Sequence, residues 1–169
     1  TATLRGDNRL HAIRLDVADR AAMAAAAEET ARVFGPVHIL CNNVGVSQRN
    51  PIDEASYADW DYVLDVNIGG TVNGLVSFLP GMKAHGEGGH VVNTASMAGH
   101  LSVPGMGPYC ATKFAVVAMS EGLAAELAGS TVGVSVLCPG WVRTSITESS
   151  RNRPERFGAR SNIAPSPMA

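Results

Sequence analysis

The stretch Tyr109-Cys110-Ala111-Thr112-Lys113 opens a long apolar helix directly after a turn-rich run over residues 102–108. Residues four apart on a helix are neighbours on one face, so the ammonium of Lys113 is predicted to lie near the phenol of Tyr109. A nearby cation favours the phenolate, which lowers the pKa of a phenol and suits it to acid–base chemistry. The same spacing also occurs on ordinary surface helices, and the pair by itself leaves both interpretations open.

Strand-like and helix-like segments alternate on either side of this helix. Strands are predicted over residues 10–17, 37–42, 90–95 and 131–137, and helices over 20–34, 56–85 and 109–128. Asp19 is a natural N-cap for the first helix, and Gly35-Pro36 ends it. Strands joined by long helices predict the α/β class, with a doubly wound, Rossmann-like parallel sheet.

Polar residues follow each predicted strand at its carboxyl end. They are Asp16, the run Asn42 to Gly45, Ser96 and the pair Pro139-Gly140. In an open parallel sheet, ligands bind in the crevice at this edge. The four strand ends are therefore predicted to line one site.

Composition and charge exclude several classes of function. The chain is 46% hydrophobic and 17% charged, with a formal net charge of -2, and this balance predicts neither a nucleic-acid nor an anionic membrane partner. No apolar run approaches the roughly 20 residues of a membrane span. The sequence predicts a soluble, cytoplasmic protein. Its three cysteines, far apart and without ligand spacing, predict no metal site.

Taken in order, these motifs resemble the short-chain dehydrogenase/reductase (SDR) family over about residues 10–147. Asn42-Asn43-Val44-Gly45 is similar to the family's Asn-Asn-Ala-Gly, Tyr109-x-x-x-Lys113 to its catalytic pair, and Pro139 to Thr144 to its Pro-Gly-x-Val-x-Thr. Ser96 precedes Tyr109 by thirteen residues, the family's usual interval, and Asn67 occupies the middle helix. Each motif is weak alone, but the ordered set is specific.

The resemblance implies an NAD- or NADP-dependent oxidoreductase that transfers hydride between the cofactor and an alcohol or ketone. It assigns Tyr109 as general acid and base, Ser96 as the hydrogen-bond partner of the substrate oxygen, Lys113 as a ligand of the nicotinamide ribose, and Asn67 as the anchor of a proton-relay water. The cofactor-binding positions implied are Asp16, Val17, Asn43, Val44, Gly45, Tyr109, Lys113, Pro139, Gly140, Val142 and Thr144.

Three of these positions keep a second interpretation from the residues alone. Asp16 also fits a cap for the turn before Ala18, and Ser96 fits an N-cap-like turn residue. Asn67 fits a satisfied amide in the core.

The substrate pocket is expected to contain Ser96, His100, Met106, Tyr109 and Trp141. This mainly apolar wall favours a hydrophobic alcohol or ketone over a charged sugar. By resemblance, the helices that carry Asn67 and Tyr109 form the dimer face, so a homodimer or homotetramer is expected of a full-length protein.

Both ends of the chain differ from the family pattern. No Thr-Gly-x-x-x-Gly-x-Gly phosphate loop is present, and residues 1–7 resemble the tail of a preceding helix. Residues 1–147 are expected to form the central and C-terminal part of an SDR domain, so the fold is partial. Residues 148–169, which are polar and Pro-rich, are expected to be a substrate-loop region or a mobile tail.

This departure leaves two functions open. The first is the oxidoreductase, which the set of Asn67, Ser96, Tyr109 and Lys113 favours. The second is a truncated, non-catalytic SDR-like protein that acts through subunit association, which the missing phosphate loop favours. An isolated fragment is expected to expose a hydrophobic edge strand and to bind dinucleotide weakly.

Overall fold

A computed structural model describes residues 9–158. Its elements, in chain order, are α1 (Arg20–Phe34), β1 (Ile39–Asn42), α2 (Tyr57–Val63), a π-helical turn (Leu64–Gly69), α3 (Gly70–Ala84), β2 (Gly89–Thr94), a 3₁₀ turn (Met97–Gly99), α4 (Gly107–Glu126), β3 (Val132–Leu137), and 3₁₀ segments at Ser145–Asn152 and Glu155–Phe157. The expected helix tail over residues 1–7 lies outside the described residues.

The three strands form one parallel sheet in the order β1-β2-β3. Ile39 pairs with His90 at one side of β2, and Gly89 pairs with Val132 at the other. Each connection between neighbouring strands contains a helix, as parallel pairing requires. The predicted Rossmann-like α/β fold is confirmed, as a partial one with three strands.

The predicted strand over residues 10–17 is wrong for this structure. The segment is irregular and ends in a turn, in which the Asp19 amide donates to the Asp16 carbonyl oxygen at 2.9 Å. A strand exists only through hydrogen bonds to a neighbour, and none of the described residues forms a ladder with this segment. Strand-like composition alone therefore did not produce a strand here.

Local signals placed the ends of α1 correctly. The Asp19 carboxylate accepts from the Ala22 amide at 3.0 Å and so satisfies a free donor of the first turn. Gly35 adopts a φ of 80°, which other residues rarely adopt, and its amide donates to the Ala31 carbonyl oxygen. The helix predicted over residues 20–34 is confirmed.

The predicted helical stretch over residues 56–85 is confirmed in extent but not in regularity. Ser56 and Asp59 form a capping box at the start of α2. Between α2 and α3 the helix widens into the π-helical turn that carries Asn67. Such turns are rare and often occur at functional sites.

One face of the sheet packs against α3 and α4. Met82, Val91, Leu127 and Val132 form a buried cluster there. On the opposite face, Ile39 is 66% exposed and Leu137 is 53% exposed. Parallel sheets are normally covered on both faces, so within residues 9–158 this sheet keeps an apolar surface open.

Residues 148–158 pack against the rest of the chain rather than form a loose tail. Phe157 is buried in a cluster with Val46, Tyr62, Val63 and Val66. Ser149 is also buried, and its carbonyl oxygen accepts from the Tyr62 hydroxyl at 3.0 Å. Of the two expectations for residues 148–169, a substrate-loop region or a mobile tail, the packing up to residue 158 favours the first. The assignment stays a prediction, and residues 159–169 lie outside the described residues.

Buried amides connect the sheet to α4 and limit the space beside α3. Asn42 donates to the Asn93 side-chain oxygen at 2.9 Å, and Asn93 donates to the Ser120 hydroxyl at 3.0 Å. Gly74 of α3 lies so close that a Cβ there would overlap the Asn42 amide oxygen. Glycine is thus required at this position by the approach of a buried polar side chain.

Gly74→Ala is expected to destabilise the protein by about 1–3 kcal/mol, because the added methyl must displace a hydrogen-bonded side chain in a packed region. The measurement is the free energy of unfolding in urea. Gly81→Ala is the matched control, since a Cβ at Gly81 of the same helix meets nothing within 4 Å. It should be neutral or stabilising by up to about 1 kcal/mol, and equal effects of the two variants would contradict the prediction.

Candidate active site

The predicted site residues converge where the strands end. Beyond β2, the Ala95 amide donates to the Leu137 carbonyl oxygen at 2.8 Å, and the Met97 amide donates to the Pro139 carbonyl oxygen at 2.9 Å. These bonds extend the β2–β3 ladder into the two loops. Ser96 and Pro139 are therefore neighbours at the carboxyl edge of the sheet.

Ser96 occupies two roles at once. Its hydroxyl accepts from the Ala98 amide at 3.1 Å as the N-cap of the 3₁₀ turn, so the turn interpretation is correct. The same side chain lies near Tyr109, where its hydrogen bonding acts to lower the pKa of the phenol. Its role as partner of the substrate oxygen stays a prediction. The short turn that Ser96 caps packs against α4.

Tyr109 is buried, with 7% of its surface exposed, beside Ala98 and Cys110. Burial raises the pKa of its phenol, and the hydrogen bond from Ser96 only partly offsets this. The expectation that Lys113 lowers this pKa is therefore wrong for the structure as it stands, because desolvation of the phenolate dominates. The phenol holds its proton at neutral pH.

Lys113 lies on the same face of α4 as Tyr109, as the spacing predicted. Its Nζ is 5.8 Å from the Tyr109 ring centroid and donates to the Thr94 carbonyl oxygen at 2.9 Å. Only 2% of the residue is exposed, and burial lowers the pKa of the ammonium to about 8. Lys113 is thus a buried cation held at the end of β2.

Asn67 is a satisfied buried amide. Its side-chain oxygen accepts from the Val46 amide at 2.8 Å, and its nitrogen donates to the Val46 carbonyl oxygen and to the Thr112 hydroxyl. The structural interpretation of Asn67 is therefore correct. Its role as the anchor of a proton-relay water stays a prediction.

Asn67 and Lys113 both lie close to Gly45. A Cβ on Gly45 would lie 3.3 Å from Lys113 Nζ and 3.8 Å from the Asn67 side-chain oxygen. Any larger residue would cover both groups. The backbone next to these groups is thus kept open by the glycine, while Asn43 is exposed on the preceding turn.

Asp16 and Val17 lie at the far end of the same edge. The Asp16 carboxylate accepts from the Ala18 amide at 3.0 Å, as a turn cap does, and it also pairs with Arg156 at 3.0 Å. Burial raises the pKa of this carboxyl, but the two partners outweigh it and the net pKa is lowered. Val17 packs with Val44 against the cluster that contains Phe157.

The loop after β3 is less enclosed than the sequence suggested. Trp141 is 85% exposed and Val142 is 60% exposed, so neither side chain lines an enclosed pocket here. Thr144 instead caps the following 3₁₀ segment by accepting from the Ile146 amide at 3.4 Å. Gly140 lies against Met97, whose sulfur would be 3.2 Å from a Cβ at that position.

Of the other residues predicted to line the substrate pocket, Met106 lies beside the Tyr109 phenol. Met106 packs against the buried group that includes Tyr109. His100 lies at the rim, with its Nε2 at 3.3 Å from the Cys138 sulfur. The apolar wall therefore consists mainly of Met106 and its neighbour Val103.

Sequence reasoning missed the buried ion pair between Asp59 and Arg153, 2.8 Å apart. The capping-box pattern at Ser56 and Asp59 was the one available local signal, but it explains only part of the environment of Asp59. The partner is 94 residues further along the chain, so no local pattern indicates it.

No metal site was predicted. Among residues 9–158, one group of metal-capable side chains exists: His38, His85 and Glu87. These residues precede β1 and β2, at the edge of the sheet opposite the site. His85 Nε2 donates to the Val37 carbonyl oxygen and Nδ1 accepts from the Glu87 amide, so both ring nitrogens are engaged in hydrogen bonds.

None of the helices over residues 9–158 is long and apolar enough to cross a membrane.

Comparison with known proteins identifies the family. Residues 2–155 match the family model described as short chain dehydrogenase. A C alpha-dehydrogenase of Sphingobium sp. (strain NBRC 103272 / SYK-6) is 40% identical over 149 residues, which are 88% of this chain and 49% of that protein. The chain thus spans about half the length of this curated relative.

Solved structures agree in both sequence and fold. A short chain dehydrogenase/reductase from Burkholderia phymatum, in complex with NAD, is 43% identical with a TM-score of 0.86, over 92% of this chain and 55% of that one. A gluconate 5-dehydrogenase from Burkholderia cenocepacia J2315, in complex with NADP and tartrate, is 31% identical with a TM-score of 0.75, over 85% and 55% of the two chains.

Proposed function

The chain belongs to the short-chain dehydrogenase family, and we propose that it supplies the acid–base machinery of an oxidoreductase that moves hydride between NAD or NADP and an alcohol or ketone. The observation that carries the proposal is the convergence of Ser96, Tyr109 and Lys113. Ser96 lies near enough to act on the pKa of the Tyr109 phenol by hydrogen bonding, and Lys113 Nζ lies 5.8 Å from the centroid of the same ring.

The residues at this edge fit the nicotinamide end of a dinucleotide. Gly45 leaves the backbone bare beside Lys113 Nζ, where a Cβ would lie 3.3 Å away. We call this uncovered backbone at Gly45 the open floor. Its position next to the buried Lys113 ammonium suits the hydroxyl groups of a ribose. When bound, the cofactor would supply or accept the hydride.

Tyr109 acts as the acid in the reducing direction. Because burial raises the pKa of its phenol, the group carries a proton at neutral pH and donates it to the substrate oxygen. Ser96 holds that oxygen within reach of Tyr109. In the oxidising direction the proton returns to Tyr109, whose phenolate must form first. Burial opposes that phenolate, and the nearby Lys113 ammonium would offset part of this cost.

The proton then needs a route to solvent, which we assign to the Asn67 region. Its side-chain oxygen lies near the open floor at Gly45 and is held by the Val46 amide at 2.8 Å. Fixing the Val46 peptide also fixes the loop that leaves β1. Asn67 would thus both shape the floor of the site and anchor the relay.

The substrate class that fits best is an uncharged, mainly apolar alcohol or ketone. Met106 and Val103 surround the buried Tyr109 ring with apolar atoms, and among the described residues no arginine or lysine other than Lys113 is buried beside it. One solved relative is in complex with NAD and another with NADP, so both cofactors belong in the test.

A second function, association without catalysis, rests on one observation. Over residues 9–158, the sheet leaves an apolar face open at Ile39 and Leu137, which a partner would cover. Assembly through α3 and α4, whose Val76 and Phe114 are exposed, is compatible with either function.

The oxidoreductase function predicts turnover by the full-length protein, followed as the absorbance of reduced nicotinamide, with NAD and NADP tested separately. Cyclohexanol and cyclohexanone are the apolar probes, and gluconate is the charged comparator. We expect turnover with cyclohexanol to exceed that with gluconate. Absence of turnover with every probe, together with no dinucleotide binding by calorimetry, would leave association as the function, which analytical ultracentrifugation would then examine.

A further inference from the structure

The segment that follows Thr144 is attached to the body of the domain by a buried ion pair. Arg153 Nη1 lies 2.8 Å from an Asp59 carboxylate oxygen, and their side chains are 4% and 0% exposed. Unpaired charges at such burial are strongly disfavoured, whereas a pair with full hydrogen bonding is tolerated. Each of the two residues thus requires the other to remain in place.

Asp59 connects two parts of the chain besides Arg153. Gln48 and Asn50 donate to its two oxygens at 2.8 and 2.9 Å, and the Ser56 hydroxyl donates at 2.9 Å. Gln48 and Asn50 lie in the loop that follows β1, a few residues after Gly45. One carboxylate therefore ties that loop to the start of α2.

Arg153 fixes its own segment with its remaining donors. Nη2 donates to the Phe157 carbonyl oxygen at 2.8 Å, and Nε donates to the Gly158 carbonyl oxygen at 2.9 Å. The guanidinium also lies over the Tyr62 ring at 5.3 Å. The planar group thus bridges the end of the segment and the loop held by Asp59, which a point charge such as lysine does less well.

The same two chain segments touch again next to the site. The Ser47 amide donates to the Ser149 hydroxyl at 3.1 Å, and the preceding residue, Val46, holds the Asn67 side chain. The segment therefore runs from Thr144, at the loop after β3, across to the loop after β1. Because β2 lies between β1 and β3, the segment crosses the carboxyl edge of the sheet, and it reaches the loop after β1 close to Gly45.

We propose that Asp59 and Arg153 are positioning residues, which hold the segment over residues 145–158 across the crevice and so shape the side of the pocket where substrate enters. This proposal rests on the proposed function. The pair itself touches neither Tyr109 nor Ser96. It acts by fixing the two loops between which the substrate must fit, so its loss should weaken binding more than it slows the chemical step.

The test compares Asp59→Asn and Arg153→Met with wild type, using cyclohexanol and the preferred dinucleotide. The controls are Asp61→Asn, an exposed aspartate of the same helix, and Arg32→Met, an exposed arginine of α1. We expect each pair variant to raise the KM for cyclohexanol at least tenfold while kcat changes less than threefold. Arg153→Lys should fall between wild type and Arg153→Met, and the controls should match wild type.

Amide hydrogen exchange separates positioning from general stability. Exchange over residues 145–158 and at Ser47 should become at least tenfold faster in the pair variants, while exchange in α4 stays unchanged. Faster exchange with an unchanged KM would overturn the positioning role. Unchanged exchange would overturn the attachment itself.

A single variant leaves one buried charge unpaired and could fail to fold for that reason. The double variant then tests the proposal. Asp59→Asn/Arg153→Met removes both charges, should fold, and should still show the raised KM and faster exchange. A folded double variant with wild-type KM would overturn the proposal. Wild-type protein without turnover would overturn the proposed function, and the exchange pattern would then decide the attachment by itself.

Discussion

Tyr109→Phe is expected to lower turnover by a factor of about 10²–10⁴, the range typical for loss of a positioned general acid or base. The substitution removes one hydroxyl and leaves the ring, which is buried with Ala98 and Cys110. The fold should therefore be kept, and the KM for cyclohexanol should change little. The measurement is the rate of change of reduced-nicotinamide absorbance at saturating substrate.

Tyr57→Phe is the matched control, because Tyr57 is 90% exposed and lies outside the site. It should retain wild-type turnover. If Tyr109→Phe kept more than about a tenth of the wild-type rate, a factor well below the expected range, Tyr109 would not be the proton donor. A loss of turnover that accompanied unfolding, seen by circular dichroism, would instead point to packing.

Lys113→Met is expected to change the pH dependence of stability. Burial lowers the pKa of Lys113 to about 8 from an ordinary value of 10.5, so between these values the unfolded chain binds more protons than the folded one. Stability therefore rises with pH in this window, and the cost of charging the buried ammonium is fully present below it. Relative to the variant, wild type should gain about 2–3 kcal/mol between about pH 7 and about pH 10.

Urea unfolding of both proteins across that range measures the difference directly, and groups common to both cancel. Lys83→Met is the control, since Lys83 is exposed on α3 and should give a curve parallel to wild type. Parallel curves for Lys113→Met and wild type would contradict a lowered pKa. Lys113→Met should also lose turnover, because it removes the cation beside Tyr109.

The local features of the fold were readable from the sequence because their causes lie within a few residues. Asp19 and Gly35 mark the ends of α1 through bonds to residues three or four positions away. Tyr109 and Lys113 share a face because the helix repeats every 3.6 residues. The alternation of strands and helices predicted a parallel sheet, since parallel strands need such crossovers.

The sequence predicted where the residues of the candidate site lie, but not the direction in which the pKa of Tyr109 is shifted. The motif spacing brought Ser96, Tyr109, Lys113 and Gly45 to one edge, and the structure places all four there. The direction of the Tyr109 pKa shift was predicted wrongly, because it depends on how far the phenol is buried. Burial is a property of the surrounding packing and not of the Tyr-x-x-x-Lys pattern.

Sequence by itself determined the order of the elements, their ends and the residues that meet at the strand ends. Tertiary structure alone decided that residues 10–17 form no strand, that Asn42 faces the core while Asn43 faces outward, and that Arg153 finds Asp59. Each of these depends on a partner distant in the chain, a ladder neighbour, a facing helix or an opposite charge. Hydrogen bonds and buried charges are satisfied in space, so only the folded chain selects their partners.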